Sequence, residues 1–375
     1  MSIDLKTVPK LGFGLMRLPE KDGAIDLEQV CRMVDAYLDA GLNYFDTAYV
    51  YHGGNSEKIV REAIVNRHPR ESFTVATKLP AWCMKEEADR DRIFNEQLER
   101  SGVDYFDFYL LHSIEDGNID TYNRLNCFEW GVQKKAEGRI RRFGFSFHGS
   151  PELLERLLDE HPEVEFVQIQ LNYADWENPV VRSGRLYEIL LKRGIPMIIM
   201  EPVKGGTLAK LTPELEAKFR AVHPEKSVAS WALRFAASLP GVMTVLSGMS
   251  NPEQMADNLA TFTAFEPLSD AEKAVVEDVR RIIMSAGQIG CTACRYCTDG
   301  CPMHIAIPDV FRAVNTMKLY HEEFRPRAFY KSLIAQGNGR AADCIACGQC
   351  EGVCPQHLPI IELLKDASGR LDVAN

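Results

Sequence analysis

Between Lys10 and about Phe265, short runs of apolar residues rich in β-branched and aromatic side chains take turns with longer amphipathic stretches. The runs predict strands over Leu11–Leu18, Leu42–Thr47, Phe73–Lys78, Phe106–His112, Arg142–Phe147, Phe166–Asn172, Met197–Pro202 and Met243–Ser247. The stretches between them predict helices over Leu27–Ala40, Ser56–Asn66, Asp91–Ser101, Arg124–Glu137, Pro151–Glu160, Val180–Arg193 and Val228–Ser238, and an eighth, Pro252–Thr263, closes the series. Eight strand–helix pairs over about 250 residues are what a (β/α)8 TIM barrel requires. A doubly wound open sheet shares the alternation, but no Gly-x-Gly-x-x-Gly follows the first strand.

Beyond the barrel, Ser269 and Glu272 stand at capping-box spacing and open a helix predicted to reach Ser285, with Gly287 as its stop. No Gly/Ser-rich or Pro-rich linker follows, so the last part of the chain is expected to be packed rather than tethered. The expected division is a barrel domain over residues 1–283 and a small domain over 284–375.

That last part holds eight of the eleven cysteines; only Cys31, Cys83 and Cys127 lie elsewhere. The N-terminus has no basic stretch followed by an apolar one, so a signal peptide is not expected and crowded thiols point to metal rather than disulfides. Cys291-x2-Cys294-x2-Cys297-x3-Cys301-Pro is repeated as Cys344-x2-Cys347-x2-Cys350-x3-Cys354-Pro. Zinc usually takes two separated pairs, whereas four cysteines this close with proline next match a bacterial 4Fe–4S run. In two-cluster ferredoxins the fourth cysteine ligates the other cluster. The expected sets are therefore Cys291, Cys294, Cys297 with Cys354, and Cys344, Cys347, Cys350 with Cys301. The intervening segment has helical patterns, which predicts a small, mostly helical ferredoxin-type iron–sulfur domain.

Composition narrows the field. Hydrophobic content of 46% and charged content of 26% are those of a soluble globular protein. A net charge of −10 gives no basic surplus for nucleic acid, and no apolar run approaches the roughly 18 residues of a membrane span. A cytoplasmic protein is expected.

In a barrel of this kind chemistry sits at the C-terminal ends of the strands. Those ends offer Asp46, Lys78 and His112, with Tyr51 in the loop after Asp46. Together they suit carbonyl reduction, in which an arriving hydride leaves an alkoxide that needs a proton. Tyr51 supplies the proton, Lys78 beside it favours the phenolate, Asp46 keeps the lysine charged and His112 binds the carbonyl oxygen. Here the sequence resembles the aldo-keto reductases, over most of residues 8–265. The likeness lies in the segment from Asp46 to Tyr51 followed by Gly54-Asn-Ser-Glu57, in Thr77-Lys78, in Leu110-Leu-His112 and in Gly144-Phe-Ser146. The resemblance implies the tetrad Asp46, Tyr51, Lys78, His112, and its spacing selects Tyr51 over Tyr49.

It also implies NADH or NADPH as cofactor. Ser146 and Gln168 fall where the family holds the carboxamide, Met200 where many members stack a tyrosine, and Asn258 at the adenine contact. Phe147, followed by His148, replaces the family's usual Asn. Lys204 and Gly205 after the seventh strand, and Ser247 and Gly248 after the eighth, lie in loops that often bind phosphate in barrels. Gln254 and Gly248 replace the arginine and lysine that commonly meet the 2′-phosphate, which weakens the expectation of NADPH; Lys204 is a partial substitute. Trp82 is a candidate wall of the substrate pocket or a core aromatic.

The leading expectation is an oxidoreductase acting on a small carbonyl or alcohol, its clusters passing electrons to a one-electron carrier such as ferredoxin or flavodoxin. A flavin is the usual mediator between hydride and single electrons, but no flavin motif is visible. Two alternatives stand beside it: an ordinary carbonyl reductase with structural or oxygen-sensing clusters, and an electron-transfer protein with a vestigial barrel site.

Overall fold

In the computed structural model, which describes residues 4–178, 181–320 and 323–372, all eight expected strands close into one parallel barrel. They are β1 (Leu11–Gly14), β2 (Tyr44–Asp46), β3 (Thr74–Pro80), β4 (Phe106–Ile114), β5 (Ile140–Phe147), β6 (Phe166–Gln170), β7 (Met197–Met200) and β8 (Val242–Ser247). Each pairs with the next in sequence, and β8 pairs back onto β1, with Phe13 opposite Ser247.

The differences from expectation are local. β1 stops at Gly14 instead of Leu18, and a two-stranded hairpin follows, Glu20–Lys21 with Ala24–Ile25. Its turn is Asp22-Gly23 with positive φ at both residues, 54° and 80°, the geometry an Asp-Gly pair favours. The helix predicted over Ser56–Asn66 is an α turn, Ser56–Ile59, continued as a π-helical segment, Val60–Val65. The stretch Arg124–Glu137 is broken where Asn126 takes φ 46°, leaving helices Ile119–Arg124 and Cys127–Ala136. The helix expected over Val180–Arg193 is seen as Ser183–Arg193; Val180 lies outside the described residues. Pro213–Arg220, capped by Thr212, is an additional helix that periodicity alone did not mark.

The barrel interior is packed, not hollow. Tyr44, Phe108 and Phe166 interlock inside it, with ring centroids 5.0 Å and 5.3 Å apart in successive pairs. Space for these rings comes from small neighbours. A Cβ on Gly144 would lie 2.3 Å from the Phe166 carbonyl oxygen, backbone that cannot step aside. Gly144→Ala is therefore expected to destabilise the protein by about 3 kcal/mol, the upper range for overpacking. Denaturant unfolding checks this, and an unchanged midpoint would disprove the tight fit.

By internal contacts the chain forms two compact units. The first comprises Met1–Glu177, Arg182–Pro202 and Leu233–Leu268 and contains the barrel strands. The second comprises Asn178–Val181, Val203–Ala232 and Ser269–Asn375. It includes helix Asp270–Ser285, whose capping box is formed: Glu272 N–H donates to Ser269 Oγ at 3.3 Å, and Ser269 N–H to Glu272 Oε2 at 2.8 Å. Helices Ile307–Tyr320, Phe324–Ala335 and Ile360–Leu371 enclose a core built on Ile305, Phe311, Val314, Tyr330 and Leu364. Among the described helices none is long and apolar enough to cross a membrane.

Candidate active site and metal centres

The parallel register sets the strand ends side by side. Asp46 on β2 lies next to Ala76 of β3, and Pro80 of β3 lies opposite His112 of β4. The Lys78 ammonium donates to Asp46 Oδ1 at 2.7 Å and to the Thr47 carbonyl at 2.7 Å, and lies 3.4 Å from the Tyr51 hydroxyl. Lys78 is fully buried, and Asp46, Tyr51 and His112 are nearly so. Burial pushes the Asp46 carboxyl up and the Lys78 ammonium down, and each partner opposes the shift of the other. Burial, reinforced by Lys78 and His148, holds His112 well below the ordinary histidine range, so the ring is neutral.

The His112 ring stands edge-on to Tyr51, 6.0 Å between centroids, with Trp82 on it at 5.2 Å. Trp82 is 53% exposed, which rules out the core reading and leaves it at the rim beside His112. Tyr49 turns away from this group and donates to Glu96 at 2.7 Å. His112 Nδ1, Asp46 Oδ2 and Gln168 Oε1 are buried without a hydrogen-bond partner among the described residues. Unmet polar atoms of this kind are what a bound polar ligand would satisfy.

Behind the lysine is a network that the sequence signalled only through its motif residue Glu57. Glu57 Oε1 accepts from Thr77 Oγ1 at 2.7 Å and Gln97 Nε2 at 2.8 Å, and Gln97 also donates to the Lys78 carbonyl at 3.0 Å. The Tyr122 hydroxyl ties β3 to β4, accepting from Ala81 N–H at 3.0 Å and lying 2.6 Å from the His112 carbonyl. Both fix the backbone that carries the tetrad.

Of the expected nucleotide contacts, Ser146 and Gln168 are neighbours across β5 and β6. Ser146 Oγ accepts from Ser113 N–H at 2.7 Å, and Gln168 Nε2 lies 3.5 Å from Met200 Sδ. Asn258 donates to Ser247 Oγ at 2.7 Å. Arg17, not foreseen, flanks Gly248, where an added Cβ would lie 3.5 Å from it. Arg17 is paired with Glu201 at 3.0 Å. Gln254 takes the helix-start hydrogen bond from Ser250 N–H at 2.7 Å. Lys204 and Gly205 belong to the second unit. There Gly205, at φ 62°, lies so near the Thr292 carbonyl oxygen that a Cβ would fall 2.1 Å from it.

Within the second unit the cysteines gather in two groups. One cavity is lined by Cys291, Cys294, Cys297 and Cys354. The other is lined by Cys301, Cys344, Cys347 and Cys350. Each thus takes three cysteines from one run and the last cysteine of the other. The two runs also share their backbone. Ala293 and Ala346 both have φ 54°, Arg295 and Gly348 have φ 67° and 79°, and His304 and His357 have φ 52° and 47°. These left-handed residues bend the chain around the thiols and turn amide groups toward them; Ala293 N–H lies 3.4 Å from Cys291 Sγ. Four thiols facing one small cavity, with a backbone donor on sulfur, fit a 4Fe–4S cluster.

The match to known proteins follows these two parts. Residues 10–281 match the aldo/keto reductase family, so the chain belongs to that family and is an oxidoreductase. Residues 290–358 match the 4Fe-4S dicluster domain, which gives the chain its fused architecture. It is 28% identical over 308 residues to L-galactose dehydrogenase of Arabidopsis thaliana, covering 75% of this chain and 94% of that one. To an aldehyde reductase of Saccharomyces cerevisiae it is 26% identical over 312 residues, 74% and 91% of the two chains. The crystal structure of an aldo/keto reductase from Klebsiella pneumoniae in complex with NADP and acetate superposes with TM-score 0.60. At 24% identity, over 73% of this chain and 92% of that one, it shares the fold.

Proposed function

We propose that the barrel interconverts a small carbonyl compound and its alcohol with NADH or NADPH, and that two 4Fe–4S clusters in the C-terminal part carry electrons. The observation that carries the first half is the buried chain from Asp46 through Lys78 to Tyr51, at 2.7 Å and 3.4 Å. Tyr51 gives its proton to the developing alkoxide, and the Lys78 charge stabilises the phenolate left behind. Neutral His112 fixes the carbonyl oxygen by a hydrogen bond and adds no competing charge. Ser146, Gln168, Ser247, Gly248 and Asn258 are the barrel residues assigned to the nucleotide, which supplies the hydride when bound. Arg17 is already neutralised by Glu201, so the charge that would select a 2′-phosphate is weak, and NADH or a relaxed preference is expected.

The eight cysteines are assigned as ligands in the two groups that line the cavities, and the domain boundary is placed near residues 283 and 284. The clusters supply one-electron transfer, and the partner that fits is a small carrier such as ferredoxin or flavodoxin. A hydride delivers two electrons at once, so the relay also calls for a flavin or another mediator that splits the pair. Cys297 and Cys350 lie within the packed core of the second unit, and this favours a stapling role for the same clusters besides the relay.

The test is aldehyde-dependent oxidation of NADH and NADPH by the anaerobically purified holoprotein; no turnover with any short-chain or aromatic aldehyde would sink the proposal. The exposed Trp82 should act on binding rather than chemistry. Trp82→Ala is expected to raise KM for an aromatic aldehyde about tenfold, roughly 1.4 kcal/mol of apolar contact. A fall in kcat at constant KM would contradict that placement.

A further inference from the structure

The repeated cysteine runs serve as an internal control for one another. At the residue after the second cysteine both runs need the same left-handed backbone, φ 67° and ψ 5° in the first, φ 79° and ψ −7° in the second. The second run meets this with Gly348, which takes it without strain, whereas the first places Arg295 there. Arginine is a costlier choice than glycine for such a position. Arg295 lines the cavity of Cys291, Cys294, Cys297 and Cys354, and among the described residues none that is charged lines the other cavity.

Arg295 is held in place. Its Nη2 lies 3.1 Å from Asp309 Oδ2, and Arg312 reaches the other oxygen of Asp309 at 3.0 Å while its guanidinium lies over the Phe329 ring. Two arginines on one carboxylate leave a net positive charge. The corresponding pair after the second run is Glu362 and Lys365, so the charge at Arg295 has no counterpart there. The cluster potential depends on nearby charge, on hydrogen bonds to sulfur and on solvent exposure. A cation on the cavity wall favours the reduced, more negative cluster.

Resting on the assignment of the cysteine groups as cluster sites, the geometry points to Arg295 as a residue that raises the reduction potential of the cluster held by Cys291, Cys294, Cys297 and Cys354, making the two clusters electronically unequal. Cys347 is exposed, and water at the second cluster also stabilises its reduced form. The shift on mutation, rather than the order of the two potentials, is therefore the diagnostic quantity. More than half of the Arg295 side chain is exposed, so solvent screening keeps the effect moderate.

The experiment is an anaerobic redox titration of the full-length holoprotein, followed by electron paramagnetic resonance, for Arg295→Gln, Arg295→Lys and Gly348→Arg. Arg295→Gln should lower the reduced-to-oxidised ratio of one cluster about tenfold at fixed poise, about 59 mV for one electron, and leave the other unmoved. Arg295→Lys should restore the parent value, and Gly348→Arg should raise the potential of the other cluster. Two unchanged potentials in Arg295→Gln at full iron content, or equal movement of both, would overturn the proposal. If Arg295→Gln fails to hold iron, an unmoved Gly348→Arg protein overturns it instead. Parent protein without eight irons and the cluster resonances would remove the cluster assignment itself, and Arg295 with it.

Discussion

Tyr51→Phe is expected to lower kcat for aldehyde reduction by about 100- to 10,000-fold, the range for losing a general acid, with nucleotide affinity unchanged. The variant keeps the ring that stands against His112. Lys78 keeps its contacts to Asp46 and the Thr47 carbonyl. Only the hydroxyl 3.4 Å from the lysine is lost, so the defect falls on proton delivery. Steady-state rates beside nucleotide binding by fluorescence separate the two effects. A variant as fast as its parent would show that the barrel does not reduce carbonyls through this residue and would favour the vestigial-site alternative.

The second large effect concerns the clusters as structure. Cys297 and Cys350 are the most buried of the eight cysteines, one in each cavity and both in the core with Ile305, Phe311 and Leu364. Burial and the neighbouring thiols push Cys297 up to about 12, and burial with the Glu351 charge pushes Cys350 to about 11. Thiolates there are stable only around a cation. Structural metal sites contribute on the order of 10 kcal/mol to folding, against a total stability of about 5–15 kcal/mol for a domain. The double variant Cys297→Ser, Cys350→Ser should therefore lose both clusters, and the helices from Ile307 to Leu371 should unfold. Iron content, circular dichroism and limited proteolysis report this; helices that stay folded without iron would refute the stapling role.

Most of the architecture was legible because its signals are periodic. All eight strands were visible as apolar runs, and the capping box at Ser269 and Glu272 is a short-range pattern that local chemistry decides. Strand ends were less legible, since the break after Gly14 depends on an Asp-Gly turn whose hairpin has no apolar face to mark it. The π segment at Val60–Val65 changes hydrogen bonding without changing the apolar pattern. In the site, the candidates Asp46, Lys78 and His112 were readable from chemistry at strand ends, and Tyr51 over Tyr49 only from the family spacing. Gln97 and Tyr122 were not, and Glu57 stood out only as a motif residue, because buried polar side chains show their purpose only through partners distant in sequence. Arg17 was missed for the same reason: 231 residues separate it from Gly248, which it flanks. Trp82 could not be placed by composition, for an indole serves equally in a core or at a rim.

The electron relay is tested most directly by an anaerobic titration of the holoprotein with NADH and, separately, NADPH, followed through the visible absorption of the iron–sulfur clusters. Bleaching by at least one nucleotide is expected, with a flavin or another mediator bound to the protein. An unchanged band, with nucleotide still consumed when aldehyde is added, would contradict the electron relay and leave a carbonyl reductase whose clusters hold its C-terminal helices together.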